Sequence, residues 1–283
     1  MGQSHSMAID VLGPLELRMG SDRRAKPTAP KERQVLSLLL MNPSQAVPVS
    51  VLVDELWVNE PPKTALTIVQ TYVLNLRKTL SRNFKIPAPQ VSRELLRTCN
   101  GGYLFETDGC HFDLREYQRL AAAGKHALEL GDPAHAAELL RRADALWRGP
   151  ALTDVQRGMA LEAEVTRLEQ ARLITRELCI ETELRLGRHR EVLGELSGLA
   201  VQYPYHEHLH GYLMHALHRC GRRMEALDVF HRLRRVLSDE LGLSPSAGLC
   251  RLQQGILNAS ESELVGAGGA VDTLLGAVRT TLP

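Results

Sequence analysis

Apolar positions change their period along the chain. Over residues 8–27 they alternate loosely, as in AIDVLGPLELRMG, and break at Gly13-Pro14 and Gly20-Ser21, which predicts short strands. PKERQVLSLLLM (30–41) switches to helical spacing, with Pro30 in the opening turn and Val35, Leu36, Leu39 and Leu40 facing inward. SVLVDELW (50–57) predicts a shorter second helix that Ser50 can cap, with Trp57 assigned to the core. Pro61-Pro62 then stops the chain, and Thr64 is the expected cap of a third helix, TALTIVQTYVLNLRKTL (64–80). Its inward stripe is Leu66, Val69, Val73, Leu76 and Leu80, at steps of three and four. The opposite face carries Thr67, Thr71, Leu74, Asn75 and Lys78 and holds no acid. VSRELLRTCNGGYLFE (91–106) predicts two strands joined at Asn100-Gly101-Gly102, where glycine supplies the positive φ of a hairpin.

Strands, three helices with a tight second connection, and a hairpin follow the order of a winged helix. In that arrangement the third helix enters the major groove and the hairpin lies along the adjacent backbone. A winged helix also serves as a protein-interaction module, so the order alone does not decide the partner. From Asp113 the pattern becomes continuous helix. DLREYQRLAAAGKHALELG pairs with DPAHAAELLRRADALW across Gly131-Asp132, and a long helix over about Leu161–Leu186 follows. LGRHREVL (186–193) then echoes CGRRMEAL (220–227), with Arg188/Arg222, Glu191/Glu225 and Leu193/Leu227 in register. This is the tetratricopeptide period, a helical hairpin whose turn needs glycine, here in an irregular array. GLSPSAGLCRLQQGIL (242–257) is expected to close it. The expected fold class is therefore mainly α with a small β component: an N-terminal winged helix-turn-helix, then an all-α tetratricopeptide-like domain.

Composition narrows the function. Aromatics are 4% of 283 residues, which favours helix over sandwich or barrel. No apolar run approaches the roughly 18 residues of a membrane span, and the polar start MGQSHSM reads as a leader without a signal-peptide core. Five scattered cysteines without a CxxC pair fit reduced thiols and a cytoplasmic location. The net charge of +1 conceals a local concentration. Residues 63–97 hold seven cations (Lys63, Arg77, Lys78, Arg82, Lys85, Arg93, Arg97) against one acid, Glu94, the footprint of a surface that meets a polyanion. There is no GxSxG, HExxH or Rossmann fingerprint, so no enzyme is expected. YHEHLHGYLMHALHRC (205–220) is rich in histidine, but no carboxylate or CxxC completes a ligand set, and no metal is expected.

VLGPLELR, PKERQVLSLLL, LVDELW, PPKTALTIVQTYVLNLRKTL and GGYLFE, followed by ALWRGPALTDV and ELGLSPSAGL, resemble the Streptomyces antibiotic regulatory protein family. The likeness covers about residues 8–257. It implies an OmpR-type winged helix joined to a bacterial transcriptional activation domain. It further implies an activator of a secondary-metabolite gene cluster that binds direct repeats as two protomers side by side, near the −35 element. RNA polymerase, particularly its primary sigma factor, is the implied second partner. Larger relatives add an ATPase module, but no lysine here sits in G-x-x-x-x-G-K-[ST], so no nucleotide cofactor is expected. One departure stands out: where the family more often carries Ser-Arg before Leu-Arg, this chain has Leu74 and Asn75. Asparagine suits adenine and an apolar side chain suits the thymine methyl, so the family's target sequence does not carry over at that position.

The expected domains are a leader over 1–7, an OmpR-type winged helix over 8–112, a helical activation domain over 113–259 and a loosely docked tail over 260–283. Thr67, Gln70, Thr71, Leu74, Asn75 and Lys78 are the candidate base contacts. Lys31, Arg33, Lys63, Arg77, Arg93 and Arg97 are the candidate phosphate contacts. Each cation would equally serve as a solvated surface charge, and the helix face would equally suit packing on the second domain. A tetratricopeptide scaffold with a winged-helix docking module is the alternative function.

Overall fold

The computed structural model describes residues 7–20, 23–57 and 60–258. The expected tail and most of the expected leader lie outside them, and Met7 opens the first strand. Among the described residues, two sheets and the helices that pack with them make up the N-terminal part. Strands β1 (Met7–Asp10), β2 (Glu16–Met19) and β3 (Arg23–Ala25) form an antiparallel meander, and β7 (His111–Phe112) adds to β1 in parallel, giving the order β3-β2-β1-β7. Alternate residues Ile9 and Leu17 turn inward and are fully buried.

Helix α1 (Pro30–Met41) has the predicted bounds, with Val35, Leu36, Leu39 and Leu40 buried. Strand β4 (Val47–Pro48) leads into α2 (Val49–Leu56). Ser50 therefore lies inside α2 and caps nothing, because the chain enters the helix from the strand through Pro48. Trp57, expected in the core, is half-buried at the end of that helix.

Helix α3 (Ala65–Phe84) is longer than its sequence pattern predicts, and Thr64 precedes it without a side-chain capping bond. Its start is instead tied by the Ala65 N–H, which donates to the Pro62 carbonyl at 2.8 Å. The added turn buries Phe84 before Lys85 ends the helix in the left-handed region. The buried stripe is Ala65, Val69, Val73, Leu76, Leu80 and Phe84; Leu66, expected inward, is 61% exposed.

After α3, a three-residue helix α4 (Ala88–Gln90) and a π-helical turn (Val91–Leu95) occupy the start of the expected first hairpin strand. Pro87 and Pro89 favour that helical entry, and Val91 is buried within it. Strands β5 (Leu96–Cys99) and β6 (Gly102–Phe105) form the hairpin, and β4 pairs with β6 on its other edge. Of the three turn residues, Gly101 alone has positive φ, +76°. Gly102 is needed for close approach instead: a Cβ there would run into the Val47 carbonyl oxygen.

The regular elements of the remaining described residues are helices: α5 (Asp113–Glu129), α6 (Pro133–Asp144), α7 (Met159–Arg185), α8 (His189–Gln202), α9 (Glu207–Arg219), α10 (Arg223–Leu241) and α11 (Ala247–Asn258). The chain forms two compact units. Of the described residues, one takes in those up to Leu130 together with Glu138–Arg176; the other takes in Gly131–Ala137 and those from Glu177 onward. Helix α5 thus packs with the N-terminal sheets, although its sequence begins the all-helical pattern.

In the first unit, carboxylates bind distant backbone. Asp113 accepts from the Val11 and Leu12 N–H groups at 2.9 Å, and burial pushes its carboxyl up to about 6 against their pull. Glu55, 2% exposed on α2, accepts from the N–H groups of Gly158, Ala160 and Leu161 and so caps α7 from another helix.

In the second unit the predicted repeat has a shared backbone geometry. Gly187 and Gly221 take φ of +80° and +78°. Their N–H groups donate to Leu184 and His218, and those of Arg188 and Arg222 to Glu183 and Leu217. This is the Schellman ending, twice, at the two positions the sequence echo aligns.

Candidate nucleic-acid interface

Two rows of side chains at i, i+4 spacing run along the outer side of α3. Leu66, Gln70, Leu74, Lys78 and Arg82 form the first, and all five are exposed. Thr67, Thr71, Asn75 and Thr79 form the second, which passes from exposed at Thr67 and Thr71 to half-buried at Asn75 and Thr79. Neither row contains an acid. Leu66 and Leu74 are 61% and 50% exposed. At 20 residues the helix is about 30 Å long, and its diameter suits a groove about 12 Å wide.

The candidate base contacts Thr67, Gln70, Thr71, Leu74 and Lys78 share this exposed surface. The Thr71 hydroxyl donates to the Thr67 carbonyl at 2.9 Å, so its proton is committed within the helix. Asn75 is engaged differently: its Nδ2 donates to Oε1 of Glu32 on α1 at 2.9 Å. Glu32 and Asn75, with Lys78, Thr79, Ser81, Arg82 and Ala88, line an open groove beside the C-terminal half of α3.

The candidate phosphate contacts divide. Lys63, before α3, and Arg93, before the hairpin, are exposed. Arg97 on β5 is half-exposed and lies 3.7 Å from Glu106, whose carboxyl is held below its ordinary range first by a hydrogen bond from Ser44. Three others are bound within the protein. Lys31 donates to the Leu56 carbonyl at 2.7 Å and to Gln34. Arg33, 15% exposed, forms an ion pair with Asp154. Arg77 donates to the Leu96 carbonyl from Nε and Nη2 at 3.0 and 2.8 Å, and to Thr98 at 2.8 Å, with Tyr103 beneath its guanidinium. Burial lowers the Arg77 pKa from its usual value, while an arginine remains charged near neutrality. Lys31 and Arg33 therefore hold α1 in place, and Arg77 ties α3 to the hairpin.

Sequence reasoning missed Glu32, Arg82 and the exposure of Leu66. Arg82 was visible in the charge run and continues the i, i+4 row from Lys78. Glu32 is 43 residues from Asn75 and carried no sequence signal.

The histidine-rich segment falls on α9. His210 and His215 are buried, and burial pushes His215 down to about 3. No group of three metal-ligating side chains comes together among the described residues. Among those residues too, no helix is long and apolar enough to cross a membrane.

Comparison with known proteins agrees with this architecture. Residues 24–105 match the model of the family described as transcriptional regulatory protein, C terminal, and residues 112–257 match that of the bacterial transcriptional activator domain. The chain is 45% identical over 253 residues to regulatory protein DnrI of Streptomyces peucetius, covering 89% of this chain and 93% of that one. It is 38% identical to regulatory protein AfsR of Streptomyces coelicolor over 91% of its own length but only 25% of AfsR. The solved structure of Mycobacterium tuberculosis EmbR in complex with a low-affinity phosphopeptide superposes with a TM-score of 0.79 at 29% identity, over 95% of this chain and 71% of EmbR. With both family models matched in this order, and with a relative matched along almost its whole length, the chain belongs to the Streptomyces antibiotic regulatory protein family of transcriptional activators.

Proposed function

We propose that this chain activates transcription by binding double-stranded DNA with α3 in the major groove and the β5–β6 hairpin along the flanking backbone. The observation that carries this is the exposed, acid-free row Leu66, Gln70, Leu74, Lys78 and Arg82 beside Thr67 and Thr71. A carboxylate there would meet phosphate repulsion, while apolar groups and an amide suit base edges. Thr67, Gln70, Thr71, Leu74 and Asn75 contact bases. Lys78 reaches bases or phosphate, and Lys63, Arg82, Arg93 and Arg97 contact phosphates.

The DNA target is a direct repeat near the −35 element of promoters in a secondary-metabolite gene cluster. Two protomers bind it side by side and recruit RNA polymerase through its primary sigma factor. The helical region from residue 113 onward supplies the activating surface. Leu74 and Asn75 make the repeat differ from that of relatives with arginine in this stretch.

Footprinting on the intergenic regions of the chain's own gene cluster tests the reading. Protection of two tandem short sites upstream of a promoter is the expected result. Protection without sequence preference, or none, contradicts it.

A further inference from the structure

Glu32 is the acid among the residues that line the groove beside Lys78 and Arg82. A carboxylate this close to a DNA-facing helix repels phosphate, so its presence needs a compensating role. Its Oε1 lies 2.9 Å from Nδ2 of Asn75. A carboxylate only accepts hydrogen bonds, whereas a side-chain amide has a donating and an accepting end. Turning Asn75 over would set its oxygen against the carboxylate, acceptor to acceptor. Glu32 therefore selects one of the two amide orientations, with Nδ2 toward α1 and Oδ1 away from it. In that orientation Asn75 keeps its second Nδ2–H and its Oδ1. These are the donor and acceptor that an asparagine uses on adenine N7 and N6.

We propose that Glu32 is a positioning residue: by fixing the Asn75 amide it sets a preference for adenine at one base pair of the recognised site, at the expense of non-specific affinity. The proposal rests on the reading of α3 as the groove helix. It predicts that specificity and non-specific affinity move in opposite directions when Glu32 loses its charge, which a merely structural role would not produce.

The test uses the full chain as wild type, Glu32→Gln, Glu32→Ala, Asn75→Ala and the double variant Glu32→Gln/Asn75→Ala. Thermal melts establish that each is folded. Base preference is read by selection from randomised duplex DNA, and non-specific affinity by titration with poly(dI–dC). Wild type is expected to favour adenine at one position by about tenfold. Both Glu32 variants lose most of that preference yet bind poly(dI–dC) more tightly, and the double variant is no less selective than Asn75→Ala. Full preference in both Glu32 variants overturns this proposal alone. So does a lost preference accompanied by weaker poly(dI–dC) binding, since that marks a damaged helix packing. Absence of any base preference in the wild type overturns the reading of α3 itself, and the proposal with it.

Discussion

Of the cations between Lys63 and Arg97, Arg77 is drawn inward by three hydrogen bonds to Leu96 and Thr98, while Lys78, one residue on, stands exposed. The two should fail differently. Arg77→Ala removes charge-assisted bonds and leaves the Leu96 carbonyl short of donors, an expected loss of about 2 kcal/mol of stability in a denaturant titration. Arg77→Lys should recover little of it, because an ammonium cannot match the fork of the guanidinium. Lys78→Ala should leave stability almost unchanged. It should weaken DNA binding by a similar factor for all sequences and lower the slope of log affinity against log salt by about 1. Leu74→Ala should instead reduce discrimination at one position, read as a loss of preference for a base pair carrying a thymine methyl.

At the scale of elements, α1 was legible to the residue because Pro30 and the run of leucines define both its start and its buried face. The second-unit repeat was legible because glycine alone satisfies the Schellman ending comfortably, and Gly187 and Gly221 both adopt it. What the sequence concealed is long-range. Strand β7 is two residues long and exists only through its parallel pairing with β1. The end of α3 depends on burial of Phe84, and the entry to α2 depends on β4 meeting the hairpin at Gly102. The exposed half of the candidate interface was readable from the lack of acids, whereas the roles of Lys31, Arg33, Arg77 and Asn75 depend on partners from 19 to 121 residues away. Glu55 is another such residue, an ordinary acid in sequence that caps α7 across more than a hundred residues. Glu55→Ala should strand those N–H groups and cost upwards of about 2 kcal/mol, measured as a lowered denaturation midpoint with an unchanged m-value. Glu55→Gln, which keeps an acceptor, should lose less.

Across the whole molecule, charge and titration are unevenly placed. Residues 63–97 hold seven cations against one acid, while burial lowers the pKa of His189, His206, His210, His215 and His218 in the second unit. His215, pushed down to about 3, stays neutral when folded and takes up a proton near 6.5 when unfolded. Its contribution is therefore intact above about 6.5 and declines as pH falls toward about 3, because the unfolded chain binds more protons in that window. His215→Leu should flatten the fall of stability with acid by up to about 1.4 kcal/mol per pH unit, followed by circular dichroism of denaturant titrations between those limits. The proposed DNA interface lies at the other end of the chain, on α3. Fluorescence anisotropy of the full chain, titrated onto duplexes from the intergenic regions of its own gene cluster at increasing salt, tests it most directly. Tighter binding to one tandem-repeat duplex than to a shuffled copy is expected, with affinity for both falling steeply as salt rises. Equal affinity for the two duplexes, or affinity that hardly changes with salt, would contradict it.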